Sequence, residues 1–188
     1  AMRLSEAGAL GEKIQLDWED PYACWRVFFY GASAARLGRI VDQQGHLLDP
    51  GLRACVQDAL ELEGLDYSDA LTGRNEFWHQ VRQLFASFDL LITPTLPVPP
   101  FAVGQNNADP FPGQEQGELQ WTQFTYPFNL TGQPATSVPA GWTTANLPVG
   151  MQIVGRRFDD ALVLRAARAF EQLQPWRDRW PNGMNAPE

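Results

Sequence analysis

The chain has 188 residues, enough for about one domain, and 44% of them are hydrophobic and 19% charged. This composition is too apolar for an intrinsically disordered chain and too interrupted for a membrane-spanning one. Fourteen basic and 22 acidic residues give a net charge of −8, which disfavours nucleic acid and anionic lipid as partners. Because no secretory peptide precedes Cys24 and Cys55, we expect a reduced, cytoplasmic protein.

The first half of the chain is predicted to form one strand and three helices. Residues 13–18 alternate between polar and apolar side chains, which is typical of a half-buried strand. An Asp-Pro pair is expected to begin each of the next two elements, a helix over residues 20–38 and a second helix over residues 49–64. A third helix is predicted over residues 68–88.

The second half is predicted to form three strands and one helix. A short apolar run at residues 90–93 indicates a strand covered on both faces. A long irregular loop rich in proline and glycine follows over residues 94–117. Residues 135–138 and 149–154 read as two strands that a hairpin joins most simply, and the last helix is predicted over residues 159–174.

This order of elements predicts an α/β architecture. Four strands are too few for a complete doubly wound domain, so we expect an incomplete sheet. Residues 2–188 would then form one portion of a domain that ends in a loosely held tail over residues 178–188. Ala1, which stands before Met2, is interpreted as a residue left by tag removal.

The sequence offers no motif for metal or nucleotide chemistry. Its two histidines lie far apart, and the pair Glu76 and His79 lacks the second Glu-x-x-His that a carboxylate-bridged metal centre needs. The glycines form neither a G-x-G-x-x-G nor a Walker spacing. We therefore predict neither a metal nor a cofactor.

Two local clusters could carry hydrolytic chemistry. Ser33 stands in Gly-Ala-Ser-Ala-Ala, but it lacks the preceding strand of a nucleophile elbow, so small-residue helix packing is the simpler interpretation. Asp17, Glu19 and Asp20 could supply paired carboxylates for glycoside hydrolysis, although a helix cap and a solvated surface explain them as well.

Seven tryptophans are many for this length. Three of them fall on or beside predicted apolar faces and are expected in the core: Trp18, Trp25 and Trp78. Four lie outside regular patterns: Trp121, Trp142, Trp176 and Trp180. If these four rings were exposed and coplanar, the chain would be a carbohydrate or aromatic-ligand binding module, which is one alternative function.

Two stretches of the chain resemble a known family. Residues 88–100 read FDLLITPTLPVPP, and residues 124–170 read FTYPFNLTGQPATSVPAGWTTANLPVGMQIVGRRFDDALVLRAARAF. Both resemble the C-terminal part of amidase signature enzymes, and a weaker similarity over residues 20–87 extends the resemblance to nearly the whole chain. It implies that the chain holds an incomplete mixed sheet flanked by helices, as the C-terminal part of an α/β/α fold.

Members of that family hydrolyse amide C–N bonds, or move the released ammonia, with a nucleophilic serine, a second serine in a cis peptide, and a lysine. The lysine relays a proton through the bridging serine, and backbone N–H groups stabilise the oxyanion. The five serines of this chain are isolated from one another, and the single lysine, Lys13, lies far from any serine cluster. The resemblance therefore implies that the catalytic residues lie outside this chain, which alone should be inactive.

The resemblance also nominates a substrate-binding segment. The residues before Asn-Leu-Thr-Gly resemble the region that meets the acyl portion of the substrate, and here they include Trp121, Thr122, Phe124 and Thr125. An ordinary core or turn role is the equal alternative. Because an acidic residue is expected near the position of Thr122 in glutamine-handling relatives, the uncharged threonine indicates a small apolar or aromatic amide. The motif's glycines and prolines are assigned to backbone geometry: Gly132, Pro134, Pro139, Gly150 and Gly155.

The expected partner is a small-molecule amide bound by the full-length enzyme, with neither nucleic acid nor a membrane. The unfilled sheet edge predicts either a homodimer or pairing with a missing N-terminal half. A non-catalytic partner-binding remnant, or one half of a split enzyme, is the first alternative, and the tryptophan-based module is the second. Whether this chain is itself an enzyme stays open at this point.

Overall fold

The computed structural model describes residues 2–105 and 119–177, which divide into two units. The sheet unit comprises Ala1–Asp17, Phe85–Thr95 and Gly132–Glu188, and the helical unit comprises Trp18–Leu84 and Leu96–Thr131. In chain order, the elements of the described residues are α1 (Met2–Glu6), α2 (Tyr22–Gln44), α3 (Pro50–Leu60), α4 (Gly64–Ser87), β1 (Leu90–Pro94), α5 (Tyr126–Thr131), β2 (Ala135–Trp142), β3 (Pro148–Gly155) and α6 (Asp160–Leu173). Short 3₁₀ helices lie at Gly45–Leu47 and Gln120–Thr122.

The sheet unit is built on three strands in the order β1-β3-β2, with both neighbouring pairs antiparallel. The predicted hairpin is therefore confirmed, because β2 and β3 pair directly. Alternate side chains point to one face of the sheet, where they form a core with α1 and α6. Its buried members are Leu4, Val138, Met151, Ile153, Val163 and Phe170.

Three glycines of the family motif meet backbone or packing demands that only glycine satisfies easily. Gly132 has a φ of +76°, in the left-handed region. A Cβ atom on Gly150 would lie 2.6 Å from Thr95 Oγ1, and one on Gly155 would lie 2.5 Å from Val163 Cγ2. The assignment of these glycines to backbone geometry is confirmed.

The main-chain nitrogen of Pro139 faces the edge of β2 that has no neighbouring strand among the described residues. The N–H of Gly155 donates to the carbonyl of Pro134 across the β2–β3 ladder at 3.0 Å. Since N–H groups alternate in direction along an antiparallel strand, the main-chain nitrogen of Pro139 points away from β3. Proline, which has no N–H, is tolerated at such an edge position.

The helical unit contains α2, α3, α5 and α4 as far as residue 84. Asp49 is the predicted N-cap of α3, and its carboxylate accepts a hydrogen bond from the N–H of Leu52 at 3.1 Å. An aromatic cluster, defined here as Tyr22, Trp25, Tyr30 and Tyr126, lies between α2 and α5 and is buried throughout. The Trp25 and Tyr126 rings stack with a centroid separation of 5.0 Å.

Several predicted boundaries are wrong. Residues 13–18 show the expected alternation of exposure but form no strand, because an extended segment needs a paired neighbour to become one. Helix α2 continues through Gly38 to Gln44, since one interior glycine costs only about 1 kcal/mol. Helix α3 ends at Leu60, and Gly64 begins α4 instead of closing α3.

The predicted α/β fold class is confirmed, but one detail of the sheet differs. We expected a mixed sheet, and the strands that the structure describes pair only in the antiparallel sense. Residues 106–117 of the predicted loop, the predicted tail at 178–188, Trp180 and Ala1 lie outside the described residues.

Candidate substrate-facing segment

The four nominated substrate-binding residues lie together in one short stretch of the helical unit, residues 119–125. We call it the substrate-facing segment, after the role that the resemblance implies. It begins with the 3₁₀ helix Gln120–Thr122 and leads directly into α5. The N–H of Thr122 donates to the carbonyl of Leu119 at 3.0 Å, and the N–H of Thr125 donates to that of Thr122 at 2.8 Å. Two successive turns thus define its backbone.

Both threonine hydroxyls reinforce these turns. Thr122 Oγ1 donates to the carbonyl of Leu119 at 2.6 Å, and Thr125 Oγ1 donates to the carbonyl of Thr122 at 2.9 Å. Leu119 has a φ of +69°, a left-handed conformation that is unfavourable for a non-glycine residue and is here held by hydrogen bonds to its carbonyl. Because each hydroxyl carries a single proton, neither threonine can also donate to a ligand in this conformation.

Trp121 differs from the threonines. Its ring meets that of Phe101 edge to face, with centroids 5.6 Å apart. Its indole Nε1 is buried and, within the described residues, has no hydrogen-bond acceptor. Trp121 and Phe124 are both half-buried, as are Thr122 and Thr125. The segment therefore combines aromatic surface with one unsatisfied donor, and none of the four nominated side chains carries a charge.

A contact that the sequence did not predict fixes the end of this segment. Tyr126, which follows Thr125, is 1% exposed, and its hydroxyl donates to Asp20 Oδ1 at 2.6 Å. Asp20 Oδ1 also accepts the N–H of Tyr22 at 2.9 Å, but Pro21 occupies the N-cap position of α2, so the prediction of Asp20 as the N-cap is wrong by one residue. Burial, together with the neighbouring Asp20 carboxylate, raises the pKa of Tyr126 and keeps its hydroxyl a proton donor.

The other end of α5 is held by an arginine that sequence reasoning also missed. Arg74 Nε of α4 donates to the carbonyl of Leu130 at 2.9 Å, and the Arg74 guanidinium lies over the ring of Phe28 at 5.6 Å from its centroid. No local sequence signal links Arg74 to α5, since 56 positions separate it from Leu130.

The serines considered as nucleophiles are engaged elsewhere. Ser33 Oγ donates to the carbonyl of Phe29 at 2.9 Å, as expected for a serine inside α2. Ser137 Oγ lies 2.6 Å from Thr95 Oγ1. Lys13 is exposed, and no hydrogen bond joins it to a serine in the part of the chain that the structure describes.

The tryptophans give little support to the alternative of a binding module with exposed, coplanar rings. Trp121, Trp142 and Trp176 are half-buried, and Trp176 packs against the core of the sheet unit. Over residues 2–105 and 119–177, no group of three or more His, Cys, Asp or Glu side chains could hold a metal ion. No helix in those ranges is both long and apolar enough to span a membrane.

Comparison with known proteins places this chain in a family. The family model described as Amidase matches residues 40–164. An acylamidase of Rhodococcus erythropolis is 37% identical over 142 residues, which cover 74% of this chain and 29% of the relative. One subunit of the glutamyl-tRNA(Gln) amidotransferase of Bacillus thuringiensis is 41% identical over 113 residues, or 60% of this chain and 22% of the relative.

Solved structures agree with the sequence relatives. A bacterial aryl acylamidase of the amidase signature family matches with a TM-score of 0.78 and 25% identity, over 93% of this chain and 39% of its own. A 6-aminohexanoate cyclic dimer hydrolase bound to its substrate matches with a TM-score of 0.76 and 25% identity, over 98% of this chain and 42% of its own. The chain thus spans less than half the length of these relatives. It belongs to the amidase signature family.

Proposed function

We propose that this chain is part of an amidase that hydrolyses the C–N bond of a small apolar or aromatic amide. One observation carries the choice of substrate: none of the nominated residues of the substrate-facing segment carries a charge, so none of them supplies a carboxylate for a charged amino group. A charged amino group bound there would lack a carboxylate to balance its charge, at a cost of several kcal/mol, about the penalty for burying an unpaired charge. The Rhodococcus relative, named an acylamidase, is consistent with this choice.

We also propose that the nucleophilic serine, the bridging serine and the lysine lie outside this chain. The isolated positions of the serines and the local hydrogen bonds of Ser33 and Ser137 support this. The relatives are more than twice as long as the matched region, which leaves room for such a catalytic part. On this proposal the chain supplies one wall of the substrate pocket and performs no chemistry alone.

The partner that adds a strand to the edge of the sheet would be this missing part of the enzyme. The outer strands are β1 and β2. The free edge of β2 carries Pro139 and a bulge at Ala140, whose carbonyl accepts a hydrogen bond from Gln174 Nε2 at 2.9 Å. Prolines and bulges block strand addition. Because β1 has no bulge and its proline, Pro94, is its last residue, β1 is the better edge for a further strand, either of the missing part or of a second copy.

Two measurements test the proposed function. The purified chain is assayed for ammonia release from simple amides and for cleavage of an acyl anilide, together with its Ser33→Ala and Ser137→Ala variants. The protein is then isolated from the cells that naturally produce it, and its intact mass and N-terminal sequence are determined. We expect no hydrolysis by the 188 residues, and cleavage of the acyl anilide in preference to glutamine by a longer polypeptide or by a complex that contains them.

Two outcomes would contradict the proposal. Hydrolysis by the isolated chain that disappears in either alanine variant would place the nucleophile within it. A longer protein that hydrolyses glutamine in preference to the anilide would refute the substrate class but leave the family unaffected. A native chain that begins at Met2 and co-purifies with a serine-containing partner would establish the split enzyme.

A further inference from the structure

Asp20 belongs to a group of carboxylates that the sequence assigns to a helix cap and a solvated surface, and the structure leaves it exposed but gives it two hydrogen-bond donors. Its Oδ1 accepts two hydrogen bonds, one from the Tyr22 N–H at the start of α2 and one from the Tyr126 hydroxyl at the start of α5. These two donors come from parts of the chain about a hundred positions apart. The carboxylate therefore ties the beginning of one helix to the beginning of another.

Tyr126 connects this hydrogen bond to the substrate-facing segment. It is the residue directly after the substrate-facing segment, it is 1% exposed, and its ring stacks on Trp25 at 5.0 Å with an interplanar angle of 24°. The ring of Tyr22 lies 5.6 Å away on another side. A side chain packed in this way has little freedom to rotate, so its backbone position is set by α2.

The hydrogen bonds of the two threonines in the substrate-facing segment are local. The amide and hydroxyl of Thr122 donate to Leu119, and those of Thr125 donate to Thr122. The N–H groups of Phe128 and Asn129 in turn donate to the carbonyl of Thr125. These bonds define the shape of the turns, whereas the location of the turns relative to α2 depends on the residue that follows them.

We propose that Asp20 and Tyr126 are positioning residues, which hold the substrate-facing segment in place through the bond between the Asp20 carboxylate and the Tyr126 hydroxyl. This inference rests on the proposed function, which assigns substrate binding to the segment. The hydrogen bond between Asp20 and Tyr126 can nevertheless be tested without any enzymatic activity. A hydrogen bond to a carboxylate is among the stronger kinds, and losing it frees the segment to open locally.

Hydrogen exchange on the purified 188-residue chain provides the first test. In Tyr126→Phe, which removes only the hydroxyl, the amides of Thr122 and Thr125 should exchange about tenfold faster or more. Amides of α3 should be unaffected. Asp20→Ala should have the same effect, whereas Asp20→Asn, which keeps a side-chain acceptor, should largely restore slow exchange. The Asp20→Ala variant also covers the case in which Tyr126→Phe does not fold.

Tyr30→Phe is the matched control. Tyr30 is also buried in the aromatic cluster, but its hydroxyl lies 3.3 Å from that of Tyr22, which belongs to α2 and not to the substrate-facing segment. We expect the segment's exchange to be unchanged in this variant. Unchanged exchange in Tyr126→Phe, or an equal acceleration in Tyr30→Phe, would overturn the proposal.

Kinetics of the longer enzyme provide the second test. There, Tyr126→Phe should raise KM for an acyl anilide several-fold with little change in kcat, because the segment binds the substrate and does not take part in bond breaking. If exchange accelerates but both constants are unchanged, the bond is structural and the positioning role is refuted. If the longer protein hydrolyses no amide at all, the proposed function fails while the exchange result still decides whether the bond holds the segment.

Discussion

Gly155 offers a quantitative test of how tightly the sheet unit is packed. It is the last residue of β3, and a Cβ atom placed on it would lie 2.5 Å from Val163 Cγ2 and 3.5 Å from the carbonyl oxygen of Asp159. Non-bonded carbon atoms prefer a separation of about 3.5–4.0 Å. Val163 is 3% exposed and β-branched, so it cannot move aside easily. The substitution Gly155→Ala must therefore displace α6 from the sheet.

The expected magnitude follows from this clash. Overpacking of a buried site costs about 1–3 kcal/mol, and alanine returns about 0.4–1 kcal/mol by restricting the unfolded chain. Gly155→Ala should therefore lower the free energy of unfolding by about 1–2 kcal/mol. Val163→Ala removes two buried methyl groups and should lower it by about 1.6 kcal/mol, with a further loss for the cavity. In the double variant the new methyl group occupies the vacated space, so the loss should be close to that of Val163→Ala alone.

Urea unfolding of the four proteins measures the coupling directly. Gly141→Ala is the control, because a Cβ atom at Gly141, also in the sheet, meets nothing within 4 Å, and its effect should be within about 0.5 kcal/mol. We expect a coupling free energy of about 1 kcal/mol between positions 155 and 163. If the two losses simply add, the clash with Val163 is not the reason for glycine at this position.

Two further predictions concern the helical unit. Asp49→Ala should lower the free energy of unfolding by about 1 kcal/mol, because the Leu52 N–H loses its cap; a melting temperature equal to that of the parent protein would contradict the cap. Burial raises the pKa of three tyrosines above its ordinary value of about 10, so the folded state binds their protons more tightly than the unfolded state. The free energy of unfolding should then be highest below about pH 10 and fall as the pH rises further, and a flat profile in urea titrations at increasing pH would refute this. The three are Tyr22, Tyr30 and Tyr126.

Features with local causes could be predicted from the sequence. Asp49 and the proline after it begin α3 because a carboxylate there reaches an N–H three residues on. The β2–β3 hairpin follows from two apolar runs separated by a short polar turn. In each case the interacting groups lie within a few residues of one another, so the local sequence is enough to predict the structure.

Features that depend on a distant neighbour could not be predicted in the same way. The alternation over residues 13–18 correctly indicates one half-buried side, but it cannot reveal whether another strand lies beside it. The family resemblance located Trp121, Thr122, Phe124 and Thr125 in one segment. It gave no sign of the bond from Tyr126 to Asp20, because the two residues are 106 positions apart and neither is unusual in its own surroundings.

The hydrogen bonds of the substrate-facing segment bear on the substrate it could accept. A threonine hydroxyl that donates to its own turn retains only lone pairs for a ligand, and here this holds for Thr122 and Thr125. Among the four nominated side chains, the Trp121 indole N–H has no acceptor within the described residues, but it is buried. On the proposed function, an uncharged amide with an apolar acyl group needs no charged partner and would pack against the rings of Trp121 and Phe124. A charged amino group would need a carboxylate to balance its charge, and a Thr122→Asp substitution in the proposed longer enzyme should supply one. If it shifted preference from the anilide toward glutamine, the lack of charge at this position would be established as the selective feature; unchanged preference would assign selectivity to residues outside the segment.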